Sequence, residues 1–281
     1  MKKLLLLATV AGLPLIATAA AAQVTPATYQ GVYIGGSLGL DVIEDDASET
    51  IVFDTDLDGE FGDTVFTSAP ADAFSPGFCS GEARDTGPEA GCDGDGDGLG
   101  YALRIGIDGR PGGGSFVAGL LLEGAMSNAK DYTTAFSTTP ASYTTIRSLD
   151  YAISARGRLG WSPGSGRGLL YATGGISYAK IDHDFVTTNT ANSFEVVDGD
   201  DMVFGFQGGA GAEVLITPNF GIGLEYLFSK YDDDESYVAV GPGTAGPTNP
   251  FLLDDPEGTN LRQTNDDFDL HSFRVTGSYR F

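Results

Sequence analysis

Cationic residues are scarce in this 281-residue chain: 15 Lys and Arg face 39 Asp and Glu, for a net charge of −24. That balance lacks the basic footprint a nucleic-acid-binding surface needs. Histidine occurs twice, which leaves little material for general acid–base chemistry or for activating a nucleophile. His271 and Ser272 are adjacent, so in an extended strand they point to opposite faces. His183 lies between Asp182 and Asp184, the setting of a solvated loop edge, and no enzyme is expected. Long apolar runs are missing too. Leu4–Ala17 is shorter than the ~20 residues of a spanning helix, so any membrane insertion must use strands. Two cysteines with no neighbouring His make a poor zinc site, and in an oxidising compartment Cys79 and Cys92 are expected to form a disulfide.

What is present begins with Met1-Lys2-Lys3, the short apolar run, and Ala20-Ala21-Ala22 before Gln23. This is the pattern of a cleaved signal peptide over residues 1–22, leaving a mature unit over residues 23–281. The 41 glycines, 17 phenylalanines and 12 tyrosines against one tryptophan suit close-packed strands in lipid.

Eight segments read as strands: Gln30–Asp45, Leu99–Asp108, Ser115–Met126, Ser148–Trp161, Leu169–Ile181, Met202–Ile216, Phe220–Phe228 and Phe268–Phe281. A tilted strand needs ~9–11 residues to cross a bilayer. Long connections (46–98, 127–147, 182–201, 229–267) alternate with short ones (109–114, 162–168, 217–219). Outer-membrane barrels have this alternation, with long extracellular loops and short periplasmic turns. The short connections carry turn chemistry in Arg110-Pro111-Gly112-Gly113-Gly114, Ser162-Pro163-Gly164 and Thr217-Pro218-Asn219. The expected fold is all-β, a transmembrane antiparallel up-and-down barrel of eight strands with long acidic extracellular loops.

Alternation within the strands separates an apolar set from a small or polar one. In the fourth segment Leu149, Tyr151, Ile153, Leu159 and Trp161 oppose Asp150, Arg156 and Arg158. The polar faces collect Arg104, Arg156, Arg158 and Arg274 with Glu123, Asp150, Glu213 and Glu225. An Arg on the lipid face near the midplane costs ~2–4 kcal/mol, so these eight are expected to form a charge cluster in the lumen.

The last nine residues, FRVTGSYRF, place Phe273, Val275, Tyr279 and Phe281 in strict alternation to an aromatic terminal residue. Together with the signal peptide, the early GVYIGGSLGL and the central LLYATGGISYA, the chain resembles the opacity-type, outer-membrane-protein-A-like family of small porin-family barrels. The resemblance implies a Gram-negative outer-membrane location, contact with outer-membrane lipid and lipopolysaccharide, and a terminal strand read by the barrel-assembly machinery. It also implies a structural or surface-antigen role, with solute conduction in some members. The long first loop, 46–98, departs from the family pattern.

The four long loops hold 30 acidic and 5 basic residues, so nearly all the negative charge is displayed outside. Such a field favours cations or basic surfaces and disfavours nucleic acid. Asp54-Thr55-Asp56-Leu57-Asp58-Gly59 and Asp93-Gly94-Asp95-Gly96-Asp97-Gly98 both open like a calcium loop. Their twelfth positions are Val65 and Arg104 rather than a bidentate Glu, so no cofactor is required and any Ca²⁺ would be held weakly. The sequence therefore predicts a non-enzymatic barrel with a structural and surface-display role. A narrow channel for small solutes, or an adhesin or receptor for a basic ligand, are the rival readings.

Overall fold

The computed structural model describes residues 28–44, 48–164, 166–197 and 202–281. The expected signal peptide and its cleavage site lie outside the described residues. Eight long strands make the wall: β1 (Gly31–Ile43), β6 (Gly98–Gly109), β7 (Phe116–Ser127), β9 (Ala141–Trp161), β10 (Gly168–Thr187), β12 (Val203–Leu215), β13 (Phe220–Asp232) and β16 (Asp267–Arg280). Short strands sit in the connections: β2 (Ile51–Asp54), β3 (Gly77–Ser80), β4 (Glu82–Ala83), β5 (Cys92–Asp93), β8 (Lys130–Ser137), β11 (Ser193–Val197), β14 (Tyr237–Gly241) and β15 (Thr259–Gln263). Among the described residues there is no α-helix, only three 3-10 turns.

Each wall strand pairs antiparallel with its sequence neighbours, β9 pairs β10, and β16 returns to pair β1, so the sheet closes on itself without an edge. The side-chain period of two then fixes which residues meet lipid. Leu103 is 77% exposed and Phe281 63%, whereas Arg156 on the opposite face is 1% exposed. A water-soluble barrel would reverse those values. Gly112 and Gly113 make the β6–β7 turn with φ of 71° and 70°, a left-handed pair that side chains with a Cβ rarely adopt. Gly106 and Gly211 serve differently: an added Cβ would run into the rings of Tyr33 and Tyr171.

Beyond the membrane the loops are not loose. The expected second loop, 127–147, is a hairpin: β8 pairs the outer half of β9 from Lys130↔Ser148 to Ser137↔Ala141. Between Tyr151 and Leu149 the β9–β10 register slips by one residue, a β-bulge at Asp150 that exchanges the two faces of β9. Above it Leu149 turns inward, 3% exposed, contrary to its expected lipid-facing position. Strands from three other loops then join in the order β11-β14-β15-β2, and β3 pairs β8. Pairing therefore links the third loop to the fourth, the fourth to the first, and the first to the second. This cap has its own core, in which Ile51, Phe53, Phe74, Tyr143, Val238, Val240, Phe251 and Leu261 are buried together.

Candidate functional site

The barrel interior is filled by two interlocked charge clusters. In the first, Arg104 (β6) reaches Glu123 (β7) at 2.7 Å and Glu225 (β13) at 2.9 Å. Arg156 (β9) contacts the same two carboxylates at 2.8 and 3.5 Å, and Arg274 (β16) meets Glu123 at 2.8 Å. The Tyr171 hydroxyl donates to Glu225 at 2.8 Å. In the second, nearer the short turns, Arg158 (β9) pairs with Asp108 and with Glu213 at 3.2 Å. Arg280 (β16) pairs with Asp108 at 2.7 Å and Glu213 at 3.3 Å. Arg158 lies over the rings of Tyr33 and Tyr171, 5.0 and 4.9 Å from their centroids. Tyr29 seals this end beneath the Arg280 guanidinium, its one hydroxyl proton shared between the Arg167 and Glu213 carbonyls at 3.0 and 2.9 Å.

Seven of the eight predicted lumenal residues meet here. Asp150 does not: the bulge turns it out of the barrel, where it lies half-exposed, 3.7 Å from Lys180. Asp108 and Arg280 were missed as members. Both follow from the same alternation, Asp108 from Arg104 and Arg280 from Arg274, each an even number of residues along its strand.

A third cluster sits where the cap meets the wall. Arg147, on β9 above the bulge, is 3% exposed and holds three buried carboxylates: Asp131 at 2.6 Å, Asp233 at 3.4 Å and Glu49 at 3.7 Å. It also donates to the carbonyls of Asn265 and Asp267 at 3.0 and 3.1 Å. Gln263, on β15, bridges Glu49 and Asp131. Burial, reinforced by the neighbouring Asp131 charge, pushes the Glu49 carboxyl up from an ordinary 4.5 to about 8, against the opposing pull of Arg147. His183 Nε2 lies 3.1 Å from Asp233 in this cluster, whereas His271 stacks on Tyr226 at the outer rim of the lipid face. The two histidines thus belong to different surfaces.

The acidic runs of the first loop part company. Asp54, Asp56 and Asp58 bring one ligand oxygen each within 4.8 Å of the others. Asp54 already accepts from the Asp58 and Gly59 amides at 3.1 and 3.2 Å and from Asn260 at 3.2 Å. Asp93, Asp95 and Asp97 form no such group among the described residues. Asp93 is taken by Arg84 at 2.8 Å and Asp95 by the Tyr132 amide at 2.8 Å, which straps the loop to β8. Cys79 and Cys92 are disulfide-bonded, as expected. Phe273, Val275, Tyr279 and Phe281 all project from the lipid face of the closing strand.

A closed barrel with an apolar outer band and an ion-paired interior is an integral outer-membrane protein. The sequence matches the family model of the outer membrane protein beta-barrel domain over residues 8–281, and the chain belongs to that family. No curated protein matches it. Similar solved structures include the outer membrane protein OprG from Pseudomonas aeruginosa, 10% identical over 91% of this chain and 99% of that one, with a TM-score of 0.49. The outer membrane protease OmpT from Escherichia coli is 10% identical over 90% and 98%, with a TM-score of 0.42. Ail of Yersinia pestis, solved with the heparin analogue sucrose octasulfate, is 10% identical over 89% and 99%, with a TM-score of 0.30.

Proposed function

We propose that this protein is a non-enzymatic, non-conducting barrel that anchors a rigid acidic cap on the cell surface. The observation that carries the reading is the lumen. Most of its Arg–carboxylate contacts run between non-adjacent strands, as from Arg104 on β6 to Glu225 on β13, from Arg274 on β16 to Glu123 on β7 and from Arg158 on β9 to Asp108 on β6, and they fill the interior that eight strands enclose. In planar bilayers the reconstituted protein is expected to give no single-channel steps; regular ohmic steps would overturn the reading in favour of a small-solute channel. In this account residues 1–22 are removed on export, and Phe273, Val275, Tyr279 and Phe281 present the closing strand to the assembly machinery. The apolar band rests in outer-membrane lipid and lipopolysaccharide.

An adhesin or receptor for a basic ligand is supported by one further feature. The loops that carry 30 acidic and 5 basic residues are tied to one another by strand pairing, so their charge is presented on a fixed surface. Such a surface repels polyanions and nucleic acid. Adhesion of whole cells to a cationic peptide surface, compared with a strain whose cap acids are changed to amides, tests it. In this account weak calcium binding belongs to Asp54, Asp56 and Asp58 rather than to the second run, whose Asp93 and Asp95 are already engaged by Arg84 and Tyr132.

A further inference from the structure

At the outermost end of the cap a cavity of about 270 Å³ opens where all four extracellular loops converge. The first loop contributes Phe74, the hairpin of the second loop Ser137–Ala141 and Tyr143, the third Thr188–Ala191 and the fourth Asn249–Phe251. Not one lining residue is charged, although the loops that build it carry 30 acidic residues. The floor is aromatic: the ring of Tyr143 lies 5.4 Å from Phe74 and 5.6 Å from Phe251, centroid to centroid.

The polar groups around that floor are held in place before any ligand arrives. Asn189 and Asn249 both donate to Asn192 Oδ1 at 3.0 Å, and Asn249 Oδ1 accepts from the Phe251 amide at 3.0 Å. Asn189 also donates to the Tyr143 hydroxyl oxygen at 3.1 Å. The phenol proton must therefore point away from Asn189, toward the side where Ser137 Oγ lies a long 3.4 Å away, a contact that a ligand oxygen would replace. An Asn249 side-chain N–H and the hydroxyls of the exposed Thr138, Thr139 and Thr190 complete a set that can both donate and accept.

Ligand charge is the deciding constraint. An anion would have to cross the acidic field of the surrounding loops. A cation would leave those carboxylates behind and be desolvated in a lining that offers it no counterion. What suits an aromatic floor with hydroxyls and amides at its rim is an uncharged ring bearing several hydroxyl groups. The volume lies just below the ~300–1,000 Å³ typical of sites for drug-sized ligands, which suits one ring rather than a chain. We propose that this cavity binds a neutral monosaccharide unit, with Tyr143 and Asn249 as the hydrogen-bonding residues and Asn189 and Asn192 as positioning residues.

The test uses the folded protein in lauryldimethylamine oxide, since a glycoside detergent would compete. D-glucose, D-galactose, D-mannose and N-acetyl-D-glucosamine are titrated separately by calorimetry, with D-glucuronate as the charged control. At least one neutral sugar is expected to saturate in the millimolar range. Tyr143→Phe is expected to weaken it about tenfold, the scale of one lost hydrogen bond. Thr139→Trp, a change at the exposed rim that spares the cap core, is expected to abolish binding by filling the mouth. Retention of the heat-modifiable gel shift certifies the barrel in both variants, and wild-type resistance of the loops to limited proteolysis certifies the cap. Absence of saturation by all four sugars, undiminished binding in Thr139→Trp, or glucuronate binding as tightly as glucose would each overturn the proposal.

Discussion

The two lumenal charge clusters, together a ladder of ion pairs, and the Arg147 cluster at the cap junction are built from the same chemistry with opposite stoichiometry. In the ladder each carboxylate touches two or three guanidiniums: Asp108 and Glu213 share Arg158 and Arg280, while Glu123 serves Arg104, Arg156 and Arg274. At the junction one guanidinium, Arg147, serves three carboxylates. A surplus of guanidinium keeps every carboxylate of the ladder paired. A surplus of carboxylate at the junction is relieved by leaving a proton on Glu49, whose carboxyl is pushed up to about 8. The first arrangement has no carboxylate in excess, and the second is expected to couple the attachment of the cap to pH.

The largest expected effect comes from breaking the ladder. Glu225→Gln leaves three buried guanidiniums with Glu123 alone, and removing one partner of a buried pair costs ~3–5 kcal/mol. Urea titration of the heat-modifiable band should show that loss in the whole barrel. An unchanged midpoint would mean that the ladder is hydrated rather than closed. Arg147→Met should act on the cap instead, because Glu49, Asp131 and Asp233 lose the one guanidinium they share. Limited proteolysis is expected to cut the cap at least about tenfold faster, the equivalent of ~1.4 kcal/mol, while the barrel band stays in place.

The pH response follows with its sign fixed by Glu49. Its folded-state value, about 8, lies above the ordinary 4.5, so the folded cap binds more protons than the opened one between those values. This contribution to cap stability is fully present below about 4.5 and is lost as pH rises to about 8. Cap proteolysis should therefore accelerate between pH 5.5 and pH 8, and Glu49→Gln should flatten the profile; a profile of equal slope in the variant would assign it to another group. The smallest effect is expected at Asp150, which would have mattered greatly had it faced the lumen. Paired with Lys180 on the half-exposed outer surface, Asp150→Asn should change stability by less than ~1 kcal/mol.

Asp150 also marks where the sequence stops being legible. Below it, period-two alternation with a known lipid face assigns all eight wall strands and seven lumenal charges. A single inserted residue then inverts inside and outside, and nothing in the run Ser148-Leu149-Asp150-Tyr151 announces the slip. Arg280 was legible and overlooked, since Arg274, Thr276, Ser278 and Arg280 share one face. The cap was illegible for a different reason. Its β2–β15 pairing joins Ile51 to Gln263 across most of the chain, and strands of four or five residues carry too few side chains to specify so distant a partner. The first acidic run gathers its carboxylates as its spacing suggests. The second does not, because Arg84 and the β8 backbone compete for them.

Joining four loops through strand pairing also changes how an antibody would read the exposed surface. Val52 lies beside Arg262, and Glu195 beside Ala239, so a patch the width of an antibody footprint combines segments distant in the chain. Antibodies raised against the folded cap would read composite epitopes that a peptide copied from any one loop does not reproduce. Variation that alters a single loop must remain compatible with the strands contributed by the others. A vaccine antigen drawn from this surface would need the barrel beneath it to hold the pieces together.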